Sequence, residues 1–426
     1  MNTCMTITCL TCMEDVDCRL GYSNREVQPI QFACPHCESR VQIVLDISEA
    51  PRSIFSFSGC ERSLRETGVL FDGSNPFVDL HLDFPVRRGK YVPGNTPWFQ
   101  SMQEMEDAGM SPDEVMTAQA FHSRRLDLLN AYYPLADKLR SVINLYFSKN
   151  KQLFQQRAAE LLGEPVRSSI LQQDLNATVY SVVTRAFLPF VIFEQSVEIS
   201  TQLPRLLSTF EPAALDGFVD EMFSDGYILS LQQDCLKLYP RIFAAEIALR
   251  PALFLDFFKK DAADQLISGR VSSHDFSEFK DLYKDILEIM SRQLVIIAGI
   301  NNIYHRGDSN GFKPIGGAAL SGLKKLSEKN LSDRFKYLDD CWYTLSEGAF
   351  NLGLRNAIAH NNVSYDDLAQ VITYVPNGGG LVPVDAEEMH FLEFIRLLLE
   401  AFREMNNMGH VLKSVYYYKL LIRDQK

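Results

Sequence analysis

Two short cysteine pairs constrain this chain more than any other feature: Cys9-Leu10-Thr11-Cys12 and Cys34-Pro35-His36-Cys37, with 21 residues between them. Each C-x2-C turn offers two thiolates from one tight knuckle, and two such knuckles complete a tetrahedron for one zinc ion. Strand-like residues flank both turns: Met5 to Thr8 before the first, Ile30 to Ala33 before the second and Arg40 to Ile47 after it. This layout predicts a zinc ribbon over residues 1–50 with Cys9, Cys12, Cys34 and Cys37 as ligands to a structural Zn2+. Four thiolates leave no open coordination position, so the ion is not expected to do catalysis. The competing reading is a pair of disulfides, which needs an oxidising compartment. The start of the chain, MNTCMTITCLTCMEDVD, lacks the basic and apolar regions of a secretory signal, so a soluble, cytoplasmic protein is expected. His36 lies inside the second knuckle and is expected to be a bystander. Cys4 and Cys18 are spare, and Cys60, Cys235 and Cys341 are expected in cores.

Length sets the remaining frame. A chain of 426 residues is expected to form two or three domains. Its 46% hydrophobic and 23% charged content is that of a folded, globular chain. The net charge of −12 argues against a protein that coats nucleic acid non-specifically, though a local cationic site remains compatible with a nuclease.

After the ribbon, residues 51–104 read as a β and loop linker with the alternating segment Phe77 to Phe84. Within it Arg87-Arg88-Gly89-Lys90-Tyr91 reads as a solvated basic loop, with contact to a nucleic-acid backbone as the alternative. Residues 105–270 read as a central helical domain. Ser111-Pro112-Asp113-Glu114 carries a capping box with proline at the first helical position. Breaks are predicted at Gly163-Glu164-Pro165, Gln202-Leu203-Pro204, Glu211-Pro212 and Arg250-Pro251. Residues 271–426 read as a helical bundle with a β-hairpin. One helix is predicted from Ser273 towards Ile303, and a long one from Ser332 to about His360. The hairpin pairs Gln370–Val375 with Leu381–Val384, and a last helix runs from about Ala386 to Met408, its Met and aromatic stripe serving core or dimer packing. The fold class is therefore mainly α with an N-terminal zinc ribbon.

The segment Leu354-Arg355-Asn356-Ala357-Ile358-Ala359-His360-Asn361 carries the candidate chemistry. Asn356 and His360 are four apart and share a helix face. Arg355 lies about 140° away from His360 around an ideal helix. The two converge only if the helix distorts or if two copies of the segment face each other across a two-fold axis. The bland alternative is a surface ion-pair arginine and a polar helix end. Arg403 and His410 form a decoy pair at the end of the last helix, expected to meet solvent.

Arg355-Asn356-x3-His360 resembles the signature of the HEPN superfamily, an arginine followed by a polar residue and, four to six residues on, a histidine. The resemblance covers about the last third of the chain. It implies a homodimer with a catalytic site of Arg355, Asn356 and His360. It also implies metal-independent cleavage of RNA (tRNA or mRNA) to 2′,3′-cyclic phosphate and 5′-hydroxyl ends, as in toxins and phage-defence effectors. By the same resemblance activity is expected to await a phage-derived or protein trigger. Asn362 stands where some toxin members carry a tyrosine. The alternative function is a non-catalytic zinc-ribbon adaptor for nucleic acid or protein, dimerised by the bundle. A third is a sensor in which residues 105–270 bind the trigger. No phosphate-binding GxxxxGK[ST] loop or HExxH motif is present.

Overall fold

The computed structural model describes residues 1–64, 71–259, 261, 263, 266, 269–272, 276–340, 342–376 and 385–425. About 56% of the described residues are helical, and the sheets are small. The mainly α class follows. The chain divides into two compact units, each assembled from three segments: Met1–Tyr133, Ala244–Lys280 and Asn356–Leu397 in the first, Pro134–Phe243, Asp281–Arg355 and Leu398–Lys426 in the second.

In the first unit, β1 (Asn2–Cys9) and β2 (Asp15–Gly21) pair antiparallel, as do β3 (Val27–Ala33) and β4 (Arg40–Asp46). β5 (Ile54–Ser58) extends the β3–β4 sheet. β6 (Cys60–Arg62) joins β1, and β7 (Phe77–Leu80) pairs parallel to β2 and antiparallel to β8 (Arg87–Gly89). The core between these sheets holds Ile7, Val16, Leu20, Ile30, Val41 and Ile43, the inward alternate positions of their strands. β2 is buried on both faces, so its polar face must be satisfied internally. Thr8 Oγ1 donates to Asp15 at 2.7 Å and Thr6 Oγ1 to Asp17 at 2.8 Å, while Arg19 pairs with Asp79 and lies 5.5 Å from the rings of Phe77 and Tyr91. The basic loop is largely consumed inside the unit. Arg87 pairs with Glu104, and Arg88 donates to the Ala33 carbonyl at 2.8 Å.

Among the described residues this unit also holds the helices α1 (Pro97–Asp107), α2 (Pro112–Tyr132) and α9 (Glu246–Phe254). The Ser111 capping box forms, with Ser111 N donating to Glu114 at 2.7 Å. Arg250, fully buried, reaches Glu246 at 2.6 Å, Asp83 at 2.8 Å and Ser23 at 3.1 Å, and ties α9 to the β layer. Burial opposes its charge, but the two carboxylates hold its pKa above the ordinary value.

The second unit contains α3 (Ala136–Phe147), α4 (Lys151–Leu162), α5 (Gln172–Phe187), α6 (Phe193–Leu207), α7 (Pro212–Ser224) and α8 (Tyr227–Leu238). Gly163 ends α4 at φ 68° and Pro212 opens α7, as the sequence predicts. The breaks predicted at Pro204 and Pro251 do not occur. Both prolines lie in the last turn of their helices, where only one backbone bond is lost and the buried Leu203, Leu207, Leu253 and Phe254 hold the turn.

α10 (Phe276–Arg306) follows, and Ser273, its predicted cap, lies outside the described residues. α10 is long and apolar enough to cross a bilayer, yet 89% of its most apolar window is buried within the protein. The long helix predicted from Ser332 to His360 is replaced by two separate short helices, α12 (Leu331–Phe335) and α13 (Leu352–Ala359), with α11 (Leu323–Ser327) upstream. Hydrophobic spacing is also satisfied by short pieces packed separately. The hairpin is corrected too. Val371–Tyr374 (β10) lies between β9 (Val363–Asp366) and β11 (Glu387–His390), whereas Leu381–Val384 lies outside the described residues. Residues 387–390, assigned by sequence to the last helix, are a strand because β10 offers them a complete antiparallel register, and α14 (Phe391–Tyr418) starts after it.

Candidate functional site

Both knuckles have the same backbone. Met13 and Glu38, each following the second cysteine of its pair, adopt φ 62°, and their N–H groups donate to Cys9 and Cys34 carbonyls at 2.8 and 2.9 Å. The first knuckle joins β1 to β2 and the second joins β3 to β4, so the two hairpins bring four thiols together. All four Sγ atoms lie within 4.8 Å of one another, with Cys9–Cys37 at 3.7 Å and Cys12–Cys34 at 3.8 Å. A tetrahedron of sulfurs about 2.3 Å from a zinc ion has edges of about 3.8 Å, so the cluster fits that ion. The Ser39 hydroxyl and N–H hold the Cys37 thiol down at about 6, while burial pushes Cys34 up to about 12. A cation is what allows a thiolate at the buried position. His36 is a bystander, its Nε2 3.1 Å from the Asp15 carbonyl. Cys18, Cys60 and Cys235 are buried, and Cys341 lies outside the described residues.

The second candidate site lies at the end of α13. Asn351 Oδ1 accepts from Leu354 N at 2.8 Å, fixing the start of this short helix, while Asn351 N donates to Tyr283 at 2.9 Å. The helix stays regular to its end. His360 N donates to the Asn356 carbonyl at 3.0 Å; then Asn361, at φ 57°, turns left-handed, and Asn362 N reaches back to Ala357 at 2.8 Å. This left-handed cap is the stop that Asn361-Asn362 signals. His360 is therefore the cap residue. It is exposed, and its ring makes no hydrogen bond among the described residues. Asn356 shares its face without holding the imidazole. Arg355 points elsewhere: it is half-buried and paired with Glu288 of α10. A regular helix keeps Arg355 and His360 apart around the axis, so one copy of α13 does not bring the two together.

Sequence reading passed over or misplaced other polar groups. Glu288 carries no local motif and becomes relevant only through the approach of α10 to Arg355. Arg403, expected in solvent, is buried, donates to the Phe190 carbonyl at 2.8 Å and pairs with Glu400. Glu404 lines a cavity of about 500 Å3 with Trp342 and Tyr343. Burial raises its carboxyl to about 7 despite the Tyr343 hydroxyl, which donates to it at 2.9 Å. In an apolar-striped helix such positions read as core, so no sequence signal separates them.

No family model matches the chain, and neither a curated protein nor a solved structure matches it.

Proposed function

We propose that the chain is a metal-independent endoribonuclease of the HEPN type, a toxin or phage-defence effector acting as a homodimer on RNA. The cysteine cluster holds one structural zinc ion. The supporting observation is His360: an exposed imidazole, without a hydrogen-bond partner among the described residues, placed by the left-handed cap at the end of α13. Imidazole exchanges protons near neutrality. His360 takes the proton of the RNA 2′-hydroxyl as that oxygen attacks phosphorus; the bond from phosphorus to the 5′-oxygen breaks, water protonates that oxygen, and the imidazolium returns its proton to solvent. A 2′,3′-cyclic phosphate and a 5′-hydroxyl result. Arg355 steadies the negative charge developing on the phosphoryl oxygens, and Asn356 orients a phosphate oxygen. The partner copy supplies the second member of the Arg355–His360 pair, because one regular helix keeps the two apart.

The test is incubation of wild type and His360→Ala with total RNA without added Mg2+ and without chelator, both proteins first shown to be folded and zinc-loaded. Cleavage by wild type alone, leaving cyclic-phosphate ends, supports the reading. Cleavage by both proteins at equal rate overturns it. A second reading, the non-catalytic adaptor, is favoured by the Arg355–Glu288 pair, which already neutralises the cation that a phosphate requires. In that case neither protein cleaves, with or without phage lysate as a source of trigger.

A further inference from the structure

Lys413 of α14 is out of place by its electrostatics. The side chain is half-buried, burial lowers its pKa, and no neighbouring carboxylate raises it. Its ammonium lies 5.5 Å from the Tyr180 ring, and it has no carboxylate partner among the described residues. Tyr418, which lines the same cavity as Lys413, donates its hydroxyl to Asp216 at 2.9 Å. Leaving an ammonium in an apolar setting without a counter-charge is costly.

Two cavities within the second unit share Lys413 and Ser200. One, about 540 Å3, is walled by Pro204, Leu207, Phe210, Tyr417, Leu421 and Ile422; the other, about 220 Å3, is walled chiefly by Phe187, Val191 and Val197, with His410 beside the lysine. Among the described lining residues of both there is no Asp or Glu, in a chain with 54 acidic residues. The contrast with the Glu404 cavity, which carries two carboxylates, is direct. The larger cavity lies within the size range of small-molecule sites, about 300–1,000 Å3. Leu421 and Ile422 are each about half exposed, so the apolar wall continues to solvent.

We propose that this site binds a fatty carboxylate, with its head group on Lys413 and its alkyl chain along the Leu207–Ile422 wall. An anion satisfies the ammonium, and only an apolar body fills the rest. The proposal stands apart from the ribonuclease reading.

Isothermal titration of the full-length, zinc-loaded protein tests it, with laurate kept below its micelle concentration. Saturable binding of laurate is expected. Affinity should fall about four-fold for each methylene removed across the series to octanoate. Dodecanol should bind at least ten-fold more weakly, and dodecyltrimethylammonium should not bind. Lys413→Gln should weaken laurate at least ten-fold, while Lys413→Arg retains most of the affinity. Because the head-group series uses only wild type, it decides the matter even if the variants do not fold. Equal binding of all three head groups, no binding of laurate, or binding only to anionic lipid vesicles overturns the proposal.

Discussion

At Arg355 the guanidinium is already paired with Glu288, and a phosphate entering the same space must displace that carboxylate. If Arg355 acts on RNA, Glu288 restrains it. Glu288→Gln is then expected to raise the RNA cleavage rate several-fold, measured on the RNA that wild type cuts; an unchanged rate would mean that the pair does not gate the site. His122 offers a prediction about stability. It is fully buried, packs near Phe84, Phe254 and Phe257, and neither ring nitrogen has a hydrogen-bond partner among the described residues. Burial lowers its pKa to about 4. Between about 4 and the unfolded value of about 6.5 the unfolded chain binds the extra proton, so stability falls as pH falls through this window, by up to about 3 kcal/mol. His122→Phe should flatten that part of the acid limb, read by denaturant unfolding at pH 4.5 and 7. His410, also lowered to about 4 by burial, should keep a residual slope.

Among the elements, α13 and the two knuckles each depend on a residue with left-handed backbone. Asn361 tolerates φ 57° because its short polar side chain adopts that region more readily than most. Asn361→Gly should leave stability within about 1 kcal/mol, while Asn361→Val should cost about 1–2 kcal/mol. The valine variant should also shift the His360 ring signals in NMR spectra, as the cap that places the imidazole gives way. The thiol cluster should bind one zinc ion per chain, counted by elemental analysis, and Cys12→Ser should lose it. Chelation should expose β1–β4 to amide exchange before the α5 and α8 helices, since metal binding and folding of a small ribbon are coupled.

For the whole molecule, the decisive question is whether two copies build one site. If Arg355 of one copy works with His360 of the other, two inactive variants can complement each other. Arg355→Ala and His360→Ala, refolded together in equal amounts, should recover about a quarter of wild-type cleavage, because half of the random dimers carry one of two sites intact. Separate preparations should remain inactive. No recovery would place the pair within a single copy or remove it from catalysis.

Several of these features were legible in the residues alone. The C-x2-C pairs, the Ser111 capping box, the helix end at His360 and the glycine end of α4 are local. Each is decided by bonds within about five residues of chain, or by ligand spacing that a short hairpin must honour. The folded chain decided the rest, through contacts between residues far apart in sequence. β10 draws Glu387–His390 out of a predicted helix, and burial carries α6 and α9 through their prolines. Packing likewise places Glu288 against Arg355, Arg403 in the interior and Lys413 beside an apolar cavity. No local pattern encodes those juxtapositions, because the same apolar spacing that marks a helix face leaves open what that face will meet.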